Sequence, residues 1–181
     1  MFYTGRGDNG QTNIFSCCKK FSKSSPRIEA LGSLDELNSL LGFCKVKSKN
    51  IGHRVFNILE NVQHDLFVMQ AEVACSERSR GSGAKKPFDK LRTEKIEKVI
   101  NKIGKELPKI KNFTISGGTE ISALLDYARA VARRAERRVV ALKDKSHKES
   151  VRYLNRLSSL LYVLARQVNN NHGIKEKKPR Y

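Results

Sequence analysis

The apolar residues of this chain recur three and four positions apart in five separate runs, and no stretch alternates with a period of two. Leu34, Leu37, Leu40, Leu41 and Cys44 form the first run, and Val55, Ile58, Leu59, Val62, Leu66, Met69 and Val73 the second. Leu91, Ile96, Val99, Ile100 and Ile103 form a third. The fourth holds Ile121, Leu124, Leu125, Ala128, Val131, Ala132, Ala135 and Val139, and the fifth Val151, Leu154, Leu157, Leu161, Leu164 and Val168. Each run puts one apolar stripe on a helix, and each stripe needs cover, so the pattern predicts an all-α fold, a five-helix bundle. The punctuation sets the expected boundaries. Ser33 with Glu36 three residues later reads as a capping box opening the first helix. Ser48 to Asn50 with Gly52, the polar segment 76–84, and Gly104 to Pro108 read as breaks, and Thr119 opens the fourth helix. Phe113 to Gly118 reads as a connection with room for a short extended piece. Residues 1–26 read as an irregular arm, 27–171 as the bundle, and 172–181 as a basic flexible tail that frays.

A chain of 181 residues buries a core of this kind without disulfides or metals to staple it. The four cysteines, Cys17, Cys18, Cys44 and Cys75, contain no C-x-x-C and fit neither a zinc nor a disulfide framework, so they read as free thiols in a reducing compartment. His53, His64, His147 and His172 are scattered and read as packing or surface residues; no metal-ligand set is expected from the spacing. No apolar run approaches the roughly 18 residues of a membrane span. Met1 to Gly5 show neither a signal-peptide core nor an amphipathic presequence, so a soluble, cytoplasmic protein is expected. With 36 Lys and Arg against 18 Asp and Glu, the net charge is +18, which attracts polyanions. Nucleic acid, anionic lipid and phosphorylated small molecules all remain open on charge alone. An aromatic content of 7% with no Trp weakens a surface for stacking single-stranded bases.

Three segments carry residue types suited to chemistry. The arm holds Thr4-Gly5-Arg6-Gly7-Asp8-Asn9-Gly10-Gln11-Thr12, whose glycines permit the turns of an anion-binding backbone nest. It is not a Walker A loop, because Gly-Lys-Ser/Thr and a preceding strand are missing, and by itself it also reads as a flexible terminus. The fourth helix places Arg129, Arg133 and Arg137 on one face, with Arg134 and Arg138 in a parallel row. Five arginines and no lysine within ten residues favour planar, bidentate recognition of phosphate or carboxylate. Nucleic acid and a compact polyphosphate both fit that row. In the fifth helix Asn155 and Arg156 adjoin the apolar stripe, where Asn is a poor helix former, so they read either as a polar core contact or as a ligand contact.

Together these segments resemble the PduO-type ATP:cob(I)alamin adenosyltransferases, from Tyr3 to about Arg166. The arm is similar to that family's Tyr-Thr-Arg-Thr-Gly-Asp-Lys-Gly-Thr-Thr signature. Arg27-Ile28-Glu29-Ala30 and Gly32-Ser33-Leu34-Asp35-Glu36-Leu37-Asn38-Ser39 follow the family's next motif closely. Gln63-His64-Asp65-Leu66-Phe67, Phe113 to Gly118, Arg133 to Val140 and Arg152 to Ser158 appear in the family's order.

The resemblance implies a ferritin-like bundle assembled as a homotrimer with active sites between subunits. It implies transfer of the 5′-deoxyadenosyl group of ATP to cob(I)alamin, with Mg²⁺ and release of triphosphate. It implies that Arg133, Asn155, Phe113, Asp35 and Arg129 carry the reaction. In that scheme Asp35 and Arg129 form an intersubunit ion pair, and Phe113 faces the lower side of the corrin ring. Thr4, Gly7, Asp8, Gly10 and Thr12 of the arm, with Lys23 and Arg27, would bind the nucleotide, joined by Glu136 and Arg137. A cobalamin reductase or a B12-dependent enzyme is the implied protein partner; membrane and nucleic acid are not.

Three positions depart from the family pattern: Gly5-Arg6 in place of Arg-Thr, Ser116 in place of Pro, and Ser159 in place of Asp. Two other readings stand beside the enzyme. A basic helical nucleic-acid-binding protein accounts for the charge alone, and a non-catalytic carrier or sensor of ATP and cobalamin accounts for the departures.

Overall fold

The computed structural model describes residues 3–14, 20–74, 88–110 and 112–180. Cys17, Cys18, Cys75 and the polar segment 76–84 lie outside the described residues. Within them the chain forms a two-stranded antiparallel sheet, β1 (Gln11–Asn13) and β2 (Lys20–Ser22), and five α-helices. The helices are α1 (Pro26–Lys47), α2 (His53–Ala74), α3 (Lys90–Glu106), α4 (Glu120–Val140) and α5 (Lys148–Asn171). The all-α bundle expected from periodicity is therefore what forms. The hairpin in the arm was not foreseen. Its strands are three residues long and mostly exposed, with Phe21 their one apolar residue, too short to show a period of two.

Ser33 does not open the first helix. The N-cap of α1 lies eight residues earlier, at Ser25, which is extended (ψ 148°) with Pro26 following in the first turn. Proline at that position loses no hydrogen bond and presets φ, which outweighs the Ser-x-x-Glu pattern downstream. Ser33 lies inside the helix and is 6% exposed. Thr119 does cap α4, its side chain accepting from Ser122 N, and Asp89 caps α3 by accepting from Leu91 N.

Helix α4 packs against both α1 and α5, α2 packs on α1, and α3 packs on α5. Buried Ala128, Ala132 and Ala135 give α4 a narrow inner face, so larger side chains from its neighbours fill the space. Leu34, Leu37 and Leu41, Leu59, Leu66 and Met69, and Leu154, Leu157 and Leu161 supply that filling. Each such side chain stabilises the fold by about 1.5–3 kcal/mol on burial. Ion pairs join α2 to α3 near both ends: Arg92 with Asp65, and Arg54 with Glu106 at 3.0 Å. Tyr153 of α5 donates to Asp65 at 2.8 Å, and burial, with the neighbouring carboxylate second, pushes its phenol well above the usual range. Cys44 is a buried free thiol pushed up to about 11 by desolvation, so it packs as an inert apolar residue. His147 is buried as well, with Glu72 and Asp144 at 3.6 and 3.5 Å.

Near the end of α5, Leu164 to Asn169 are buried on every side of the helix, and only the final Asn170 and Asn171 are exposed. Polar Arg166, Gln167 and Asn169 are under 9% exposed. The segment after them, expected to fray, instead folds back over the bundle. Ile174 N donates to Asn169 O at 2.9 Å, and the Glu176 carboxylate pairs with Arg166. A buried arginine needs an anion, and the tail supplies it. No described helix is long and apolar enough to cross a membrane.

Candidate active site

The two arginine rows of α4 meet different surroundings. Arg134 pairs with Glu36 of α1, and Arg138 pairs with Glu29 at 3.2 Å. Among the described residues, Arg133 and Arg137 have no ion-pair partner and are exposed. Arg129 is half-buried, and its Nε has no hydrogen-bond partner. One row is thus neutralised by the fold, while the other presents uncompensated donors.

Asn155 sits beside the exposed row. Of the two readings of Asn155, a polar core contact does not hold, because the residue lies on the exposed side of α5 next to the apolar stripe. Its Nδ2 donates to Glu136 of α4 at 3.1 Å. Arg156 donates to Asn155 Oδ1 at 2.7 Å and, through Nε, to Glu97 of α3 at 2.9 Å. Arg152 reaches the same carboxylate at 3.4 Å. The chain Glu97–Arg156–Asn155–Glu136 ties three helices together and fixes which end of the Asn155 amide faces α4. The Arg156 hydrogen bond, with Arg152 beside it, holds the Glu97 carboxyl below the usual carboxylate range.

The arm is a separate small unit. Lys23 N donates to Gly10 O at 2.9 Å, closing the turn onto the hairpin, where Thr12 stands opposite Phe21. A Cβ on Gly7 would lie 3.2 Å from Lys23 Nζ and 3.2 Å from Gln11 O, so a side chain there would crowd the ammonium. Asp8 N donates to Gly5 O, the Asp8 carboxylate folds back towards Gly5, and Arg6 N donates to Thr4 Oγ1. Thr4, Gly7, Asp8, Gly10, Thr12 and Lys23 are therefore drawn into one polar loop. No hydrogen bond or ion pair joins this loop to α4 among the described residues. Arg27, expected with the loop, instead donates to Val73 O at the end of α2. Asp35 is exposed on α1 and forms no pair with Arg129 within the chain. Among the described residues of one copy, no hydrogen bond or ion pair therefore joins the two halves of the expected nucleotide site.

Phe113 is 80% exposed, on the loop between α3 and α4. Three side chains seize that loop at Gly117. Asp126 accepts from its N–H at 3.0 Å, while Asn169 and Ser122 donate to its carbonyl at 2.7 and 3.2 Å. Asn169 also accepts from Thr119 N at 3.1 Å. Gly118 has φ +120° and lies flat on the Asn169 carboxamide, so any Cβ there would overlap it as well as strain the backbone. Burial raises the Asp126 carboxyl above its usual range. Below the loop is a cavity of about 620 Å³, bounded by Asp126, Arg129, Tyr162 and Arg166 and by the returning tail. Ser116 and Ser159, two departures from the family pattern, are exposed.

A family model described as cobalamin adenosyltransferase matches residues 2–168. The chain belongs to that family. It is 38% identical to the corrinoid adenosyltransferase PduO of Citrobacter freundii, over 99% of this chain and 54% of that one. Against the Salmonella typhimurium PduO the identity is 37%, over 91% and 48%. The chain thus spans about half the length of these two relatives, but the match to the Bacillus subtilis corrinoid adenosyltransferase, 36% identical, covers 88% of it. Among solved structures, a variant PduO-type ATP:corrinoid adenosyltransferase from Lactobacillus reuteri complexed with cobalamin and ATP superimposes with a TM-score of 0.90 at 30% identity, over the whole of both chains. A second variant of that enzyme, complexed with ATP, gives 0.88 at 31% identity, over 99% of this chain and all of the other.

In this cobalamin adenosyltransferase fold, the residues that sequence reasoning missed are those that hold others in place. Glu97 gave no signal, because it is one charge among many on a lysine-rich helix. Arg166 and Asn169 did give one. They are polar residues three apart beside Val168 of the apolar stripe, the same feature that singled out Asn155.

Proposed function

We propose that the chain transfers the 5′-deoxyadenosyl group of ATP to cob(I)alamin, giving adenosylcobalamin and triphosphate. The observation that carries this reading is the divided α4 helix, whose Arg133 and Arg137 stay exposed while their neighbours are neutralised. In the reaction the electron pair of cobalt(I) forms the bond to C5′. The C5′–O bond breaks, and its electrons leave on the triphosphate oxygen. The protein's task is to hold C5′ in line and to stabilise the leaving charge.

Arg133 and Arg137 supply planar donors to the phosphates, and Lys23 adds a point charge. Asn155, its amide oriented by Glu136 and Arg156, positions the nucleoside. Gly7 and Gly10 let the arm's backbone approach the phosphates. Phe113 presents an apolar ring to the corrin face and excludes a lower axial ligand, which eases reduction of Co(II) to Co(I). No protein base is required, because the nucleophile carries no proton.

Among the described residues no three His, Cys, Asp or Glu side chains cluster as a metal cage. That fits an ion carried mainly by phosphate oxygens, for which one or two carboxylates suffice. Asp8, in the polar loop, would hold such a Mg²⁺, whose contribution is to neutralise phosphate charge. The separation of arm and α4 within one copy supports a site completed by a second copy in a homotrimer, with Asp35 of one meeting Arg129 of the next. A cytoplasmic location is part of the same reading.

The test is a strictly anaerobic assay with chemically reduced cob(I)alamin and Mg·ATP, followed by visible absorption. Protein-dependent appearance of the adenosylcobalamin spectrum with equimolar triphosphate is expected. Tight binding of both substrates without product would replace the enzyme with a carrier, and no binding of ATP would discard the reading altogether.

A further inference from the structure

The tail that sequence patterning assigns to solvent is held by a buried arginine together with two backbone hydrogen bonds. Gly173, with φ +66°, turns the chain back at the end of α5. Arg166, only 9% exposed at its side chain, then grips the Glu176 carboxylate through Nε and through a second nitrogen at 3.1 Å. The same guanidinium donates to Pro108 O, just beyond α3, at 2.9 Å and lies over the Tyr162 ring at 5.9 Å. Tyr162 OH lies 3.5 Å from Thr114 Oγ1. One residue on, Lys177 O accepts from Ile115 N at 2.9 Å.

The loop bearing Phe113 is consequently pinned from two sides. Asp126, Asn169 and Ser122 hold Gly117 from the bundle, and the tail holds Ile115 from outside. Phe113 itself is too exposed to be placed by its own packing. Its position follows from these backbone contacts, of which the one nearest to it is made by the tail.

We propose that Gly173 to Lys177 is a strap that sets the Phe113 loop, with Arg166 and Glu176 as positioning residues for the corrinoid half of the site. This rests on the proposed function for its substrate, but not for its mechanics. Ordering the loop before the corrinoid arrives lowers the cost of binding it. The strap also forms one wall of the cavity beneath the loop, next to exposed Ile115 and Ile174, an apolar rim suited to a large flat macrocycle. Among the described residues no hydrogen bond or ion pair joins the strap to the arm or to Arg133 and Arg137, and of that row only Arg129 lines the same cavity, so the strap is expected to act on the corrinoid more than on the nucleotide.

The experiment compares the parent with Glu176→Gln, and with the double variant Arg166→Met, Glu176→Gln, which leaves no buried lone charge. Hydrogen exchange at the Ile115 amide reports the mechanics, and steady-state kinetics with each substrate varied reports the function. Both variants are expected to speed that exchange and to raise KM for cob(I)alamin on the order of tenfold, with KM for ATP changed less than about twofold. Unchanged exchange at Ile115 in a folded variant overturns the strap. Faster exchange with no change in the corrinoid KM, or with an equal rise for ATP, overturns its role in the site. Should the parent make no adenosylcobalamin, the proposed function fails, and the affinities for hydroxocobalamin and ATP, measured by calorimetry, take the place of the two KM values with the same expected outcomes.

Discussion

Two faces of α4 carry the same residue type and have different work. On one, Arg134 and Arg138 lie over Glu36 and Glu29 of α1. On the other, Arg133 and Arg137 stand one residue earlier in each turn and meet no acid among the described residues. The first pair is half-exposed on both sides, so each contact adds little to stability. The rotation of α4 against α1 is set by its buried apolar face, with Ala128, Ala132 and Ala135 turned inward. That rotation turns the second row outward, beside Asn155 and Glu136. The composition of the helix is thus less informative than the phase at which it docks.

The largest effect is expected from the exposed row. Arg133→Ala should lower kcat by about 10²–10³-fold, the usual loss when one donor to developing charge is removed. Its thermal midpoint should stay that of the parent. Steady-state kinetics beside a melting curve check both, and a loss of fold parallel to the loss of rate would erase the distinction between the rows.

An intermediate effect is expected from Glu97→Gln, which releases Arg156 and with it the orientation of Asn155. A fall in kcat of about tenfold is expected, because the amide is misplaced and not removed. The same carboxylate sets a pH dependence. Its native pKa is depressed, so its stabilising contribution is complete above the ordinary carboxylate value of about 4.3 and is lost as pH falls through the native value. Melting curves of parent and Glu97→Gln should therefore differ at neutral pH and converge below about pH 4. A gap that persists into acid would assign the effect to shape instead of charge.

The smallest effect is expected from the neutralised row. Arg138→Ala should cost about 0.2–1 kcal/mol of stability and leave kcat within about twofold. A double-mutant cycle with Glu29→Ala isolates the pair. Should Arg138→Ala match Arg133→Ala in lost rate, both rows would belong to the site.

Much of this architecture was legible in the chain. The stripes from Leu34 to Val168 announce their helices because burial imposes a 3.6-residue period on any helix that packs by one face. The start of α1 was not legible, because Ser33-x-x-Glu36 and Ser25-Pro26 are competing local signals, and only burial of Ser33 decides between them. The hairpin and the bound tail were missed for a related reason. The hairpin pairs three residues per strand and the tail is held by a few contacts of Arg166, Ile115 and Asn169, and so few contacts leave no periodic trace.

The candidate site divides in the same way. Arg129, Arg133 and Arg137 could be placed on one face from their spacing, and the ordered motifs of the arm, α1, α4 and α5 could be matched to a family. The chain by itself therefore determined the helices, their apolar faces and the residue types available to the proposed site. Tertiary structure alone decided which arginines keep their charge free, which carboxylate orients Asn155, and what holds the loop of Phe113. Glu29 and Glu36, seven residues apart, lie on one face of α1 in any helix, but the arginines they neutralise depend on how α1 and α4 settle against each other.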